Sequence, residues 1–224
     1  MESLQRMVRA PWFPYVAPFA TFIGFTYAGG QWPGVAHLWY LAKTVVVGAM
    51  LWGFRRHYVE LGWGKSAGNW AVGAIVGVIV LVVWVAPDRV LAPLRIGDGP
   101  GFDPYSFGLD TALTWAVIAV RVFGAAVVVP IMEELFWRSF LMRYLIDTDF
   151  KSVALGTFST LSFAVVAAAF GFEHDRWVVG IAAGLAYGGL LVWRRDLFTC
   201  VLAHGVTNFG LGLYVLRTGE WSFW

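Results

Sequence analysis

The sequence predicts an all-α polytopic membrane protein, a bundle of seven to eight transmembrane helices. Three observations carry this expectation. Of 224 residues, 59% are hydrophobic and only 13% charged, against about 25% charged in a soluble domain, and mean hydropathy is +0.68. The apolar residues come in runs of about 20, the length that crosses a hydrocarbon core as a helix. Finally, Trp12, Trp32, Trp52, Trp70, Trp84, Trp177 and Trp193 stand at or near run ends, where amphipathic rings collect at the membrane–water boundary. Residues 1–224 read as one transmembrane domain embedded in the lipid bilayer. With a net charge of +2 and basic residues scattered in ones and twos, no nucleic-acid-binding face is expected.

The first span is expected over about residues 12–28, with Pro14 and Pro18 near its start. Arg6 and Arg9 precede it, but the run holds no small-residue cleavage site, so it reads as an uncleaved helix and not a signal peptide. The second span covers 33–54 and the third 69–86. Residues 87–110, rich in Pro and Gly with four Asp, read as a loop outside the membrane. A continuous helical pattern follows over 111–146, then spans at 153–172, 177–193 and 197–216. Gly73 and Gly77, and Gly180, Gly184 and Gly188, recur at four-residue spacing, forming faces along which helix backbones can approach closely. The lone Cys200 excludes an intrachain disulfide. Among Phe198, Thr199, Val201 and Leu202 it reads as a small packing residue.

Positive charge sets the orientation. With the N-terminus inside, inner segments hold Arg6, Arg9, Arg55, Arg56, Lys65, Arg138, Arg143, Lys151, Arg194 and Arg195. Outer segments hold Arg89, Arg95, Arg176 and Arg217, while Lys43 and Arg121 fall within spans. Ten against four puts the N-terminus in the cytoplasm and the C-terminus outside the cell membrane. The pattern over 111–146 is 36 residues, ~54 Å of helix for a ~30 Å core. Either 111–132 lies in the bilayer, or the buried section is nearer 121–141. The second choice is preferred, because it takes an unpaired Arg121 to the outer rim.

The chain is organised around Pro130-Ile131-Met132-Glu133-Glu134-Leu135-Phe136-Trp137-Arg138. Each charge at a helix centre costs roughly 2.5–3.5 kcal/mol on insertion scales, so intramembrane charge reads as functional. Glu134 and Arg138 share a helix face in the favourable order for an ion pair. Glu133 points about 100° away and has no partner in its own helix. Pro130 removes the backbone hydrogen bond to the Ala126 carbonyl and should kink the helix just before the glutamates.

Further polar residues stand where apolar ones are expected. His174 follows Phe170 at helical spacing at the end of the fifth span, and His204 and Asn208 share a face of the seventh. Two polar side chains on one buried face want polar company. His37 and His57, near span ends, read as interfacial. Together these are hydrolytic parts: a glutamate to deprotonate a water held by a histidine, and a second histidine and an asparagine to donate to an oxyanion. The same Glu and His residues could instead hold a zinc ion that activates the water.

Glu133-Glu134-x-x-x-Arg138, Phe170-x-x-x-His174 and His204-x-x-x-Asn208 together resemble the three-motif pattern of the CPBP family. That family comprises the type II CAAX prenyl endopeptidases and bacteriocin-processing membrane proteins, with bacterial members beside exosortase-type sorting systems. The resemblance implies an intramembrane endopeptidase with an eight-helix or similar bundle and a core at about 111–216, acting on a membrane-associated protein or peptide. It implies Glu133 as water-activating base with His174 helping to hold the water. Glu134 and Arg138 are implied as a structural pair, and His204 with Asn208 as oxyanion stabilisers. One departure is the long spacing from Glu133 to His174, so an extra turn or short helix is expected around 147–151. Some relatives act as scaffolds or immunity proteins, which keeps a non-catalytic binding role as the alternative. A small transporter fits less well, because no inverted repeat is visible.

Other hydrolase signatures fail. There is no His-Glu-x-x-His. Arg95-Ile96-Gly97-Asp98 lacks the Gly-x-Gly-Asp of intramembrane aspartyl proteases. Gly64-Lys65-Ser66-Ala67-Gly68 matches a nucleophile elbow but precedes a span and follows no strand. Val59 stands where a phosphate loop needs its first glycine, so this segment reads as a polar turn. One geometric difficulty is plain. A slab arrangement separates His174 from His204 by ~15 Å of depth, to be made up by tilt, by a dip of the His174 segment, or by an interruption near 147–151.

Overall fold

A computed structural model of the chain describes residues 10–62, 66–96 and 101–224. Among these residues there are seven long helices and no strand: α1 (Phe13–Gly30), α2 (Ala36–Phe54), α3 (Ala67–Val85), α4 (Thr111–Tyr144), α5 (Thr160–Phe172), α6 (Trp177–Arg194) and α7 (Leu197–Thr218). Five stretches, those of α2, α3, α4, α6 and α7, are long and apolar enough to cross a membrane. The helical membrane bundle is therefore as expected, and its helix ends fall within a few residues of the expected ones except in α5.

Local chemistry explains the ends. Ser66 Oγ accepts from the Asn69 N–H at 3.2 Å and Asp110 Oδ1 accepts from the Leu113 N–H at 2.9 Å, each satisfying a donor of a first helical turn. Ser66 is thus a helix cap. Gly64 and Lys65 of the same motif lie outside the described residues, as do Gly97 and Asp98 and the N-terminal Arg6 and Arg9. α7 stops at Gly219, whose φ of 73° closes the helix in the left-handed region.

The glycine faces pack as expected. A Cβ on Gly180 would lie 2.9 Å from Gly171 Cα, and one on Gly184 2.9 Å from the Ala167 carbonyl, so α5 and α6 touch backbone to backbone. A Cβ on Gly73 would stand 3.0 Å from the Thr199 carbonyl, and Gly77 faces Ala203, which seats α3 on α7. Cys200 is fully buried in the same core.

Helix α4 is not uniform. π-helical turns at Gly124–Val128 and Leu135–Leu141 flank an α-helical turn, Val129–Glu134. Pro130 has no N–H to give, and because a π turn precedes it the bond lost is not the expected one to Ala126. At π spacing the carbonyl left without its donor is that of Ala125, and the Asn208 amide of α7 donates to it at 2.9 Å. One residue on, the Ala126 carbonyl stands 2.8 Å from where a Gly205 Cβ would be, so Gly205 leaves room for it. The proline thus shapes the face of α4 that docks on α7.

The fifth span is a correction. Its helix begins at Thr160 and not near 153, and residues 145–159 form turns. Their side chains bond locally: Asp147 Oδ1 accepts from the Asp149 N–H, Ser152 Oγ donates to the Asp149 carbonyl and Thr157 Oγ1 to the Ala154 carbonyl. These bonds compete with helix formation, and Gly156 at φ 77° breaks the chain direction. The interruption expected around 147–151 is therefore real and longer than anticipated.

At the end of the bundle where α4 closes, Glu60 accepts from Tyr15 Oη (3.1 Å), Ser139 Oγ (3.1 Å) and the Arg143 guanidinium. Nearby, Asp196 Oδ2 accepts from Asn69 Nδ2 (2.8 Å) and Thr199 Oγ1 (2.6 Å), while Arg194 Nε donates to Asn69 Oδ1 (3.0 Å). At the opposite end Asp88 pairs with both Arg95 and Arg176, and Arg176 Nη1 donates to the Ser222 carbonyl (2.7 Å).

Candidate active site

Because α5 starts late, its 13 residues climb only ~20 Å from Thr160. Ser162 Oγ donates to the Met142 carbonyl near the end of α4, which sets the level of the climb. Phe170 then reaches Arg138, its ring 4.2 Å from the guanidinium carbon. His174 and His204 line one cavity although the 18 residues of α6 still climb between them.

Phe170 is the hub of the site. Its ring also meets those of Trp137 (6.2 Å), Tyr187 (6.2 Å), His174 (5.0 Å) and His204 (5.9 Å). Its carbonyl accepts from His174 Nδ1 at 2.8 Å, one helical turn away. With Nδ1 carrying the proton, His174 presents the lone pair of Nε2. The Phe-x-x-x-His spacing is therefore a device that orients an imidazole.

Glu134 and Arg138 pair as expected: Arg138 Nε lies 3.3 Å from Glu134 Oε2 and both side chains are fully buried. The contact is electrostatic without a hydrogen bond, because the guanidinium is turned toward the rings of Phe170 and Tyr187. Glu134 does a second thing that was not anticipated. Its Oε1 holds His204 Nδ1 at 2.9 Å, so the buried carboxylate bridges a guanidinium and an imidazole. His204 Nε2 then faces Glu133, whose Oε2 is 4.0 Å away. Tyr187 stacks on the His204 ring at 5.0 Å and is anchored through its hydroxyl to Thr207 Oγ1 at 2.8 Å.

Both glutamates are buried with Oε2 free of hydrogen bonds among the described residues, but Glu134 holds His204 and lies against Arg138 whereas Glu133 has only the 4.0 Å approach of His204. His174, His204, Asn208, Phe170, Tyr187 and Arg121 line a cavity of about 160 Å³, capped by Trp84, Phe223 and Trp224. Glu133 reaches this space through His204. The structure thus gathers Glu133, Glu134, Arg138 and His204 in direct contact, with His174 and Asn208 on the same cavity.

Glu173 was not singled out from the sequence. Its Oε2 accepts from Trp137 Nε1 at 3.1 Å. Burial pushes its carboxyl up to about 7, against the Trp137 N–H and the Arg138 charge. In the same turn, burial pushes His174 down to about 4, opposed by the Phe170 carbonyl. A carboxylate closing an apolar run was the available signal. Trp137 and Tyr187 carried none, since their roles depend on contacts between helices.

Among the described residues, no three His, Cys, Asp or Glu side chains are grouped to hold a metal ion. With His174 Nδ1 on a carbonyl and His204 Nδ1 on Glu134, the Nε2 atoms are the ring nitrogens left for a ligand.

A buried carboxylate pair beside two oriented imidazoles, inside a helical membrane bundle, is a set of groups that can exchange protons. Residues 114–210 match the family model of Rce1-like type II CAAX prenyl endopeptidases. Over that stretch, which holds all three motifs, the resemblance to this family of membrane proteases stands. No curated protein matches the chain, and no solved structure matches it.

Proposed function

We propose that this protein is an intramembrane endopeptidase that cleaves a membrane-associated protein or peptide with a water activated by Glu133. The observation that carries the reading is the division of labour between two adjacent carboxylates. Glu134 is bound to both Arg138 and His204, whereas Glu133 faces His204 at 4.0 Å with an oxygen left over. A general base must have that freedom.

In the proposed reaction a water lies between Glu133 and the Nε2 lone pair of His174. Glu133 takes one proton as the water oxygen attacks the peptide carbonyl. The same proton is then given to the departing amine, so that one water and one amide become an acid and an amine. The tetrahedral oxyanion needs donors. His204 supplies Nε2–H when its ring is an imidazolium, with Nδ1 held by Glu134 Oε1 at 2.9 Å. Asn208 has one amide N–H engaged by the Ala125 carbonyl and a second to offer. Arg138 pairs with Glu134. Tyr187 and Phe170 wall the imidazoles from lipid.

The test is cleavage of a membrane-anchored peptide by the parent protein and by Glu133→Gln, both in proteoliposomes. Turnover by the parent and its loss in the variant is the expected result. Equal cleavage by both would end the role of Glu133, and no cleavage by the parent would favour a non-catalytic binding role. The ten-to-four charge bias supports a cytoplasmic N-terminus and an outer C-terminus. One-sided reporters fused to each end should light on opposite sides, and the same side for both would exclude seven spans.

A further inference from the structure

Among the described residues, the buried and half-buried arginines other than Arg121 each have a side-chain oxygen partner. Arg138 has Glu134, Arg143 has Glu60, Arg95 and Arg176 share Asp88, and Arg194 has the Asn69 amide oxygen. Arg121 has no carboxylate within ion-pair distance among the described residues, and its Nε is enclosed without a hydrogen-bond partner among them. Its guanidinium instead lies on the rings of Tyr40 (4.2 Å) and Phe102 (4.8 Å), with Trp224 at 5.8 Å. Rings hold a cation in place without neutralising it. The Tyr40 hydroxyl donates to the Arg121 carbonyl at 3.1 Å and is neutral, so it brings no counter-charge.

Position makes this charge informative. Arg121 lines the same cavity as His174, His204 and Asn208. It stands one turn of α4 from Ala125, whose carbonyl holds Asn208. A rigid guanidinium fork matches a carboxylate with two parallel hydrogen bonds, and a peptide's own anions are carboxylates. We propose that Arg121 is a substrate-anchoring residue that takes a carboxylate of the bound peptide a few residues from the bond being cut. This inference rests on the proposed peptidase reading for the nature of the ligand, and the anchor itself is independent of turnover. An extended peptide advances ~3.3 Å per residue, so an anion held one or two turns from the imidazoles fixes which bond reaches them. The carboxylate can be the chain terminus or an Asp or Glu side chain, and the two sources separate experimentally.

Binding is measured by fluorescence anisotropy on the full chain in detergent, in the Glu133→Gln background so that no probe is cleaved. Three labelled peptides of one sequence are used: a free terminal acid, its terminal amide, and the amide with a single Glu near its end. At least one acid should bind about tenfold or more tightly than the neutral amide, and whichever acid does so identifies the source. Adding Arg121→Gln should erase that preference and leave affinity for the neutral amide unchanged, while Arg121→Lys should retain part of it. Equal affinity of acids and amide for the Arg121-containing protein overturns the proposal, as does a preference that survives Arg121→Gln. The first comparison needs no Arg121 variant, so a folding defect cannot shelter the idea. Because binding alone is read, failure of the peptidase reading would appear separately, as absence of cleavage by the parent.

Discussion

Helix α4 carries two layers of buried charge, and they are built to opposite specifications. In the lower layer Glu60 meets Arg143, Ser139 and Tyr15, and its carboxylate oxygens are taken up by hydrogen bonds. In the upper layer Glu133 Oε2, Glu134 Oε2 and all three Arg138 nitrogens lack hydrogen bonds among the described residues, although an ion pair and an imidazole stand close by. A fully satisfied network fastens helices together. An incompletely satisfied one retains reactivity at a cost in stability. The same helix therefore performs a structural task at one end and, on the proposed reading, a chemical task a few turns away.

The sharpest way to break this comparison is to neutralise one carboxylate in each layer. Glu133→Gln should lower turnover by roughly 10²–10⁴ with the melting temperature in detergent unchanged or raised. Glu60→Gln should lower the melting temperature and leave turnover per folded molecule near that of the parent. If the two variants behave alike, the layers do not differ in kind.

Removing the buried cation comes next. Arg138→Ala strands the Glu134 charge in a fully buried site, and breaking such a pair costs about 3–5 kcal/mol. Thermal unfolding in detergent should detect it. A variant that melts like the parent would mean that Glu134 is held by His204 alone.

Asn208 tests the junction between α4 and α7. Asn208→Ala leaves the Ala125 carbonyl without its donor, at about 1–3 kcal/mol. Asn208→Asp should be worse, because an acceptor then faces an acceptor. If the Asp variant is as stable as the parent, the amide is not capping the carbonyl that Pro130 leaves free.

The smallest effect is pH dependence in the turn after α5. His174 is held down to about 4 from an ordinary 6.5, so the unfolded chain binds more protons between those values, and stability falls as pH drops through that range. Glu173 is pushed up to about 7 from 4.5, so its contribution is present at low pH and lost as pH rises through 7. The two slopes cancel between about 4.5 and 6.5, so stability should be flat over that range and fall below and above it. Glu173→Gln should flatten the alkaline side, and His174→Ala the acid side, of the melting-temperature profile.

Much of this was legible in the chain. The spans announced themselves because lipid admits few alternatives to the apolar helix. The small-residue faces and the Glu134–Arg138 pair follow from helical spacing alone. What could not be read depends on which atom meets which across helices. The late start of α5 rests on side-chain bonds in a turn that has no strong sequence mark. The hold of Glu134 on His204 Nδ1 needs two helices separated by 70 positions. Arg121 was noticed for its charge, but its rings come from α2, from the loop before α4 and from the C-terminal turn.

The short α5 also acts on the surroundings. At 13 residues it offers lipid ~20 Å of apolar length where a hydrocarbon core measures ~30 Å. The turns before it expose Asp147, Asp149, Lys151 and Ser152, which hold water and headgroups. Lipid meeting this flank must therefore thin, by hydrophobic mismatch, to the length that the helix provides. A polypeptide strand, whose backbone amides are costly to carry through hydrocarbon, would have its shortest dry path to the histidines on this side of the bundle.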